Sequence, residues 1–243
     1  MTRALSPLRA VQHEGGAHPI TARTGTTALT PLQLEERNTI YRSDQQRLEV
    51  DAFRELRTQL LAATKENFIT LVVPVSLGSG GSFVARNLAA AMAFDETKNA
   101  VLVDCDVRHP SQDRSMRIQA AGSGLIDYLE QREADTGNLL YDTGVARLRL
   151  LPTGTSRETG AEHFSSSRMR LLLDTLRASD PNTYLFLDGP PVRGAPDARI
   201  LADLADVVVL VAGYGRDTPA AIAEAAANFD KSKFAGVVFN EGV

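Results

Sequence analysis

Residues 68–89 read FITLVVPVSLGSGGSFVARNLA, and the fold follows from this stretch. Phe68–Val75 is a continuous apolar run rich in β-branched residues, the pattern of a strand buried on both faces. Gly78–Ser82 (Gly-Ser-Gly-Gly-Ser) is a turn, and Phe83–Phe94 beyond it repeats alanine at helical spacing. Strand, glycine turn and helix make the first part of a strand–helix–strand unit, whose natural product is a parallel sheet.

The same alternation extends in both directions. Upstream, Leu48, Val50, Phe53, Leu56, Leu60 and Leu61 recur at helical spacing and predict an amphipathic helix to about Thr64. Downstream, short apolar strands are expected at Ala100–Asp104, Arg147–Leu151, Tyr184–Asp188, Asp206–Ala212 and Ala235–Phe239. Between them, helices are expected over Ser123–Gln131, after the serines at 165–167, and from Thr218-Pro219 to about Phe229. The fold class is therefore α/β, a mostly parallel, doubly wound sheet. Residues 1–43 lack periodicity and are expected to form a flexible tail, leaving 44–243 as the folded domain.

Bulk composition narrows the function classes. The 243 residues are 43% hydrophobic, enough for a core, and the net charge of −4 gives no support to nucleic-acid binding. The sequence shows neither a membrane-length apolar run nor a secretory leader. The single Cys105 and four scattered histidines offer neither a disulfide framework nor zinc-ligand spacing.

Ligands of doubly wound sheets bind at the carboxyl ends of the strands, and there the chemistry-bearing residues collect. In loop 78–82, successive backbone N–H groups at a helix start would form an anion nest, with Gly78, Ser79, Gly80, Gly81 and Ser82 as candidate nucleotide-binding residues. The alternative is a tight turn without ligand. In VLVDCDVRHP (101–110), Asp104 and Asp106 suit Mg²⁺ or activation of a hydroxyl, and Arg108 suits a phosphate or a partner's carboxylate. The bland alternative has Asp104 capping a turn and Asp106 pairing with Arg108. In YLFLDGPPV (184–192), Asp188 stands at a strand tip before a rigid corner, the usual place for water-mediated contact with Mg²⁺.

Taken in order, these pieces resemble the P-loop tyrosine autokinases (BY-kinases) of bacterial capsule and exopolysaccharide systems, within the deviant Walker class of P-loop NTPase-like folds. The likeness covers roughly residues 48–243. Asp51-Ala-Phe-Arg54-Glu-Leu-Arg57 is similar to the family's oligomerisation helix, 78–89 to Walker A, Asp104-Cys-Asp106-Val-Arg108 to Walker A′, and Leu187-Asp188-Gly-Pro-Pro to Walker B. Asn240 falls where the family's last strand approaches the nucleotide base. The resemblance implies ATP or ADP with Mg²⁺ held by Ser82, Asp104 and Asp188, and catalysis by Asp104, Asp106 and Arg108. It implies a homo-oligomer through Asp51, Arg54 and Arg57, and a membrane-embedded chain-length or co-polymerase partner. It also implies a cytoplasmic place, peripheral at the inner face of the membrane through that partner. For Asp51 and Arg54 the alternative is a plain i,i+3 surface pair.

Two departures stand against an active kinase. The family's Walker A lysine is Gly81 here, and the terminal tyrosine cluster has no counterpart. Lys65, Arg86 and Lys98 are the nearest cations in sequence, and none occupies the lysine position. The expectation is a pseudokinase-like regulator of polysaccharide polymerisation or export whose nucleotide binding is weak or absent. On this reading Gly81→Lys should raise affinity for ADP. An active ATP-dependent tyrosine kinase is the alternative. A dinucleotide-binding Rossmann protein is more remote, because the third glycine of its fingerprint would fall on Phe83.

Overall fold

The structure, a computed structural model, describes residues 28–37, 39–41, 47–64, 66–120, 123–155, 160–194 and 196–241. Its strands are β1 (Ile69–Pro74), β2 (Asn99–Asp104), β3 (Tyr141–Asp142), β4 (Leu148–Leu151), β5 (Thr183–Asp188), β6 (Val207–Gly213) and β7 (Phe234–Asn240). They form a seven-stranded sheet in the order β3-β4-β2-β5-β1-β6-β7. All neighbours pair in parallel except the antiparallel β3–β4 edge. The doubly wound α/β architecture expected from the alternating pattern is the one found.

The helices are α1 (Pro31–Glu35), α2 (Arg47–Ala63), α3 (Gly81–Ala93), α4 (Gln112–Ser115), α5 (Leu125–Leu129), α6 (Ser167–Ala178), α7 (Asp197–Leu204) and α8 (Pro219–Ala226). They divide the interior into two cores, one on each face of the sheet. Because side chains alternate along a strand, β1 sends Ile69, Leu71 and Val73 to one core and Val72 to the other. Both faces are covered, which is why the run 68–75 is apolar throughout. On the second face α3 buries Leu88 and Met92 completely. Each such side chain contributes about 1.5–3 kcal/mol, and Leu88→Ala would cost about 2–5 kcal/mol through the cavity left behind.

Two expectations need correction. Part of the supposed tail is packed: Thr39, Ile40 and Tyr41 are buried, Leu29 N–H donates to the Gly144 carbonyl, and Ile40 N–H donates to Asn87 Oδ1. The buried Asn87 side chain on α3 is the anchor, and a local composition pattern cannot reveal it. Residues 1–27 lie outside the described residues. The helix expected over 123–131 is the shorter α5: Asp127 accepts the Gly124 N–H and so sets its start, and Gln131, with a φ of 64°, lies outside it. Helices α1, α4 and α7 and the short strand β3 were not anticipated.

Among the described residues no helix is long and apolar enough to cross a membrane.

Candidate functional site

The inner strand β1 has β5 on one side and β6 on the other, and β5, the middle strand, lies between β1 and β2. The turn after β1 therefore opens beside the ends of β5 and β2. Asp104 and Asp188 are partners in the β2–β5 register, so two carboxylates stand side by side at adjacent strand ends. Both are buried. The Gly-Pro-Pro corner closes one side, with Gly189 N–H donating to the Val72 carbonyl and Val192 N–H to that of Pro74.

Gln112, which the sequence did not single out, ties the site together. Its side-chain amide donates to Asp188 Oδ2 at 2.6 Å and to the Ser82 carbonyl at 2.9 Å, while its oxygen accepts from Arg86 Nη1 at 3.0 Å. Arg86 is buried on α3, and Gln112 links its guanidinium to the Asp188 carboxylate. Burial lowers the Arg86 pKa, and the Asp188 charge opposes that shift.

Burial first, and then the Asp104 charge, pushes the Asp188 carboxyl up to about 8, against hydrogen bonds from Gln112 and Ser82. Burial also raises Asp104 to about 6, although Gln112 and Ser111 donate backbone N–H groups to it. Asp188 Oδ1 is buried with no hydrogen-bond partner, an arrangement that calls for a proton, a water or a cation.

Asp104 also does what the bland alternative proposed: it accepts N–H groups from Asp106, Ser111 and Gln112 and so shapes the turn into α4. Asp106 does not pair with Arg108. It accepts the His109 N–H, and Arg108 reaches instead to Asp197 at the start of α7, at 3.4 Å. Arg108 is thus engaged within its own chain rather than at the loop. Cys105 points into the core, and burial with the flanking acids raises its thiol well above the ordinary range. Among the described residues no three Asp, Glu, His or Cys side chains converge as a metal cluster.

The glycine turn is built as a phosphate loop would be. Gly78 and Gly80 have φ of 82° and 89°, values that a side chain tolerates poorly. Gly80 is the N-cap of α3, and no side chain caps the helix start, leaving its first N–H groups for an external acceptor. Asn240, at the end of β7, donates its side-chain amide to the Ser79 carbonyl at 3.2 Å and fills the space above Gly80. Asn240, expected from the sequence near a nucleotide base, thus lies against the loop.

Gly81 differs from its neighbours. A Cβ built there would lie 2.6 Å from Pro74 Cδ and 2.9 Å from Cγ, inside a rigid ring. The position where a lysine would begin is occupied by proline. Proline is disfavoured in central strands but tolerated at a strand end, and Pro74 is the last residue of β1. The expectation that Gly81→Lys alone would strengthen binding is accordingly withdrawn. Of the other cations considered, Lys98 pairs with Asp95, and Lys65 lies outside the described residues.

On α2, Asp51 and Arg54 form an exposed i,i+3 pair at 3.2 Å, whereas Arg57 donates to the Ala91 carbonyl of α3. Arg54 and Arg57 nevertheless line one surface cavity with Phe94, Asp95 and Glu96.

Comparison with known proteins places this arrangement. No family model matches the sequence. The tyrosine-protein kinase CpsD of Streptococcus agalactiae is 27% identical over 191 residues, covering 78% of this chain and 82% of that protein. The tyrosine-protein kinase YwqD of Bacillus subtilis is 29% identical over 210 residues, 84% of this chain and 86% of that one. The BceF tyrosine kinase domain superposes with a TM-score of 0.72 at 26% identity, over 89% of this chain and 91% of that domain. The chain belongs to the bacterial P-loop tyrosine kinase family. The BY-kinase fold extends to the cell-division ATPase MinD of Pyrococcus furiosus, with a TM-score of 0.57, 18% identity, and 70% of each chain covered. That match shows the shared P-loop architecture alone.

Proposed function

We propose that this BY-kinase relative is a regulator of capsule or exopolysaccharide polymerisation or export whose phosphotransfer is impaired. The observation that carries this reading is the Pro74 ring beside Gly81, which leaves no room for a side chain at the position of the Walker A lysine. Losing one preorganised donor to developing negative charge typically costs about 10²–10³ in rate.

The remaining residues fit Mg²⁺ and a nucleotide in part. The unpartnered Asp188 Oδ1 beside Ser82 suits a hard cation that keeps several waters, and the uncapped start of α3 suits a phosphate. In this reading Ser82, Asp104 and Asp188 would hold the metal and loop 78–82 with Asn240 would take the nucleotide, the ion supplying charge neutralisation at the phosphates. Binding is weak, and the protein acts chiefly by docking on a membrane-embedded co-polymerase from the cytoplasmic side. An assembly of like subunits would use the exposed Asp51–Arg54 face of α2, leaving Arg57 to its own chain.

The second reading is a working ATP-dependent tyrosine kinase in which Asp104 or Asp106 activates the acceptor hydroxyl. The intact carboxylate pair favours it. ADP formation and phosphotyrosine from ATP with Mg²⁺, measured beside an Asp104→Asn/Asp106→Asn double variant, separate the two. The first reading expects a negligible rate in both proteins; turnover abolished by the double substitution would establish the second.

A further inference from the structure

Arg216 lies 138 residues beyond Gly78 in sequence, in the turn between β6 and α8, and the fold lays it across the phosphate loop. A Cβ added to Gly78 would lie 3.1 Å from Arg216 Nη1 and 3.3 Å from Cζ, so the guanidinium rests on that glycine. Its stem crosses a second glycine: a Cβ on Gly213 would stand 3.2 Å from Arg216 Cβ and 3.3 Å from Cδ. Two missing side chains thus make the channel in which Arg216 lies. Nη1 donates to the Leu77 carbonyl at 3.2 Å, and among the described residues the rest of the fork has no hydrogen-bond partner.

The turn that carries Arg216 is fixed to the loop. Asp217 Oδ2 accepts from Ser79 Oγ at 2.6 Å and from the Gly213 N–H at 2.8 Å, and Tyr214 N–H donates to the Asn240 carbonyl. Arg216 therefore starts from a backbone already docked beside Gly78–Ser82. The other cation near the loop, Arg86, is buried and bonded to Gln112. A second observation fits a metal-bound ligand here: the fully buried Asp188 Oδ1 has no partner and would suit the cation of a metal–nucleotide complex, while its carboxyl group bonds Ser82 in the first turn of α3.

We propose that Arg216 is the cation of this phosphate loop: entering from the β6–α8 turn, it binds the diphosphate of a nucleotide in place of the lysine that Pro74 excludes. A guanidinium fork suits paired phosphate oxygens. The proposal rests on the reading of loop 78–82 as a phosphate site, and its test separates the two.

The experiment is calorimetry of the full chain with ADP·Mg²⁺ and with pyrophosphate·Mg²⁺, comparing wild type, Arg216→Gln, Arg216→Lys and the exposed surface control Arg170→Gln. Thermal melting checks that each variant is folded. Arg216→Gln should weaken both ligands about ten- to hundred-fold, as for loss of a charge-assisted contact. Arg216→Lys should recover part of that loss, and Arg170→Gln should bind as wild type. Wild-type binding left unchanged by Arg216→Gln overturns the role of Arg216 while the loop reading stands. A loss confined to ADP places Arg216 away from the phosphates and also overturns it. No binding of either ligand by wild type overturns the loop reading and the proposal with it.

Discussion

The two sides of the site are built differently. On the carboxylate side, Asp104, Asp188, Gln112, Ser82 and Arg86 form a buried network in which one amide serves an acid, a carbonyl and a guanidinium at once. On the loop side, the position of the kinase lysine is packed with proline, and the contacts are made by residues from distant turns, Asp217, Arg216 and Asn240. One side is a buried network of carboxylates tied by an amide. The other is a glycine turn with an uncapped helix start, held by residues from distant turns. The two sides therefore differ in what they need from the fold: the carboxylates need partners in the core, and the turn needs only glycines and outside anchors.

The strongest way to break this contrast is to cut the amide. Gln112→Ala removes the bonds to Asp188 and Arg86 inside the core and should cost about 3 kcal/mol in urea unfolding. A loss below about 0.5 kcal/mol would mean that the two carboxylates do not depend on this network.

Gly81→Lys sharpens the loop side. Overpacking against Pro74 should cost about 1–3 kcal/mol without improving ADP affinity. The Pro74→Ala/Gly81→Lys pair should recover stability and bind ADP more tightly than wild type in calorimetry. Tighter binding by the single variant would show that the ring does not exclude the side chain.

Dependence on pH tests the carboxylates. Both acids have pKa values raised in the folded protein from the ordinary 3.8, to about 6 for Asp104 and about 8 for Asp188. Between those limits the native state holds protons that the unfolded chain has released, so stability is greatest below about pH 4 for these groups and falls as pH rises toward 8. Asp188→Asn should flatten that decline in melting curves taken from pH 5 to 8. A slope unchanged by the substitution would remove Asp188 as its source.

The smallest effect is expected on α2. Arg54→Ala breaks an exposed pair and should change stability by only about 0.3–0.5 kcal/mol. If that face joins subunits, light scattering should nevertheless report a smaller assembly; an unchanged mass would exclude the oligomer role.

Much of this was written locally in the chain. The apolar runs ending at Asp104 and Asp188, and the glycine turn at 78–82, needed only the rule that buried parallel strands are continuous in hydrophobicity and carry their sites at their ends. Order and spacing were enough to identify the sheet, the helix start and the kinase family. Gln112 and Arg216 gave no such signal, because an isolated polar residue in a loop looks alike whether it faces solvent or a buried acid. Pro74 and Gly81 are only seven positions apart, yet their contact exists because the loop folds the start of α3 back onto the end of β1. Hydrophobic periodicity is a property of short segments and is legible in sequence. Which polar groups meet depends on strand order and on excluded volume between segments far apart in the chain, and those only the folded molecule fixes.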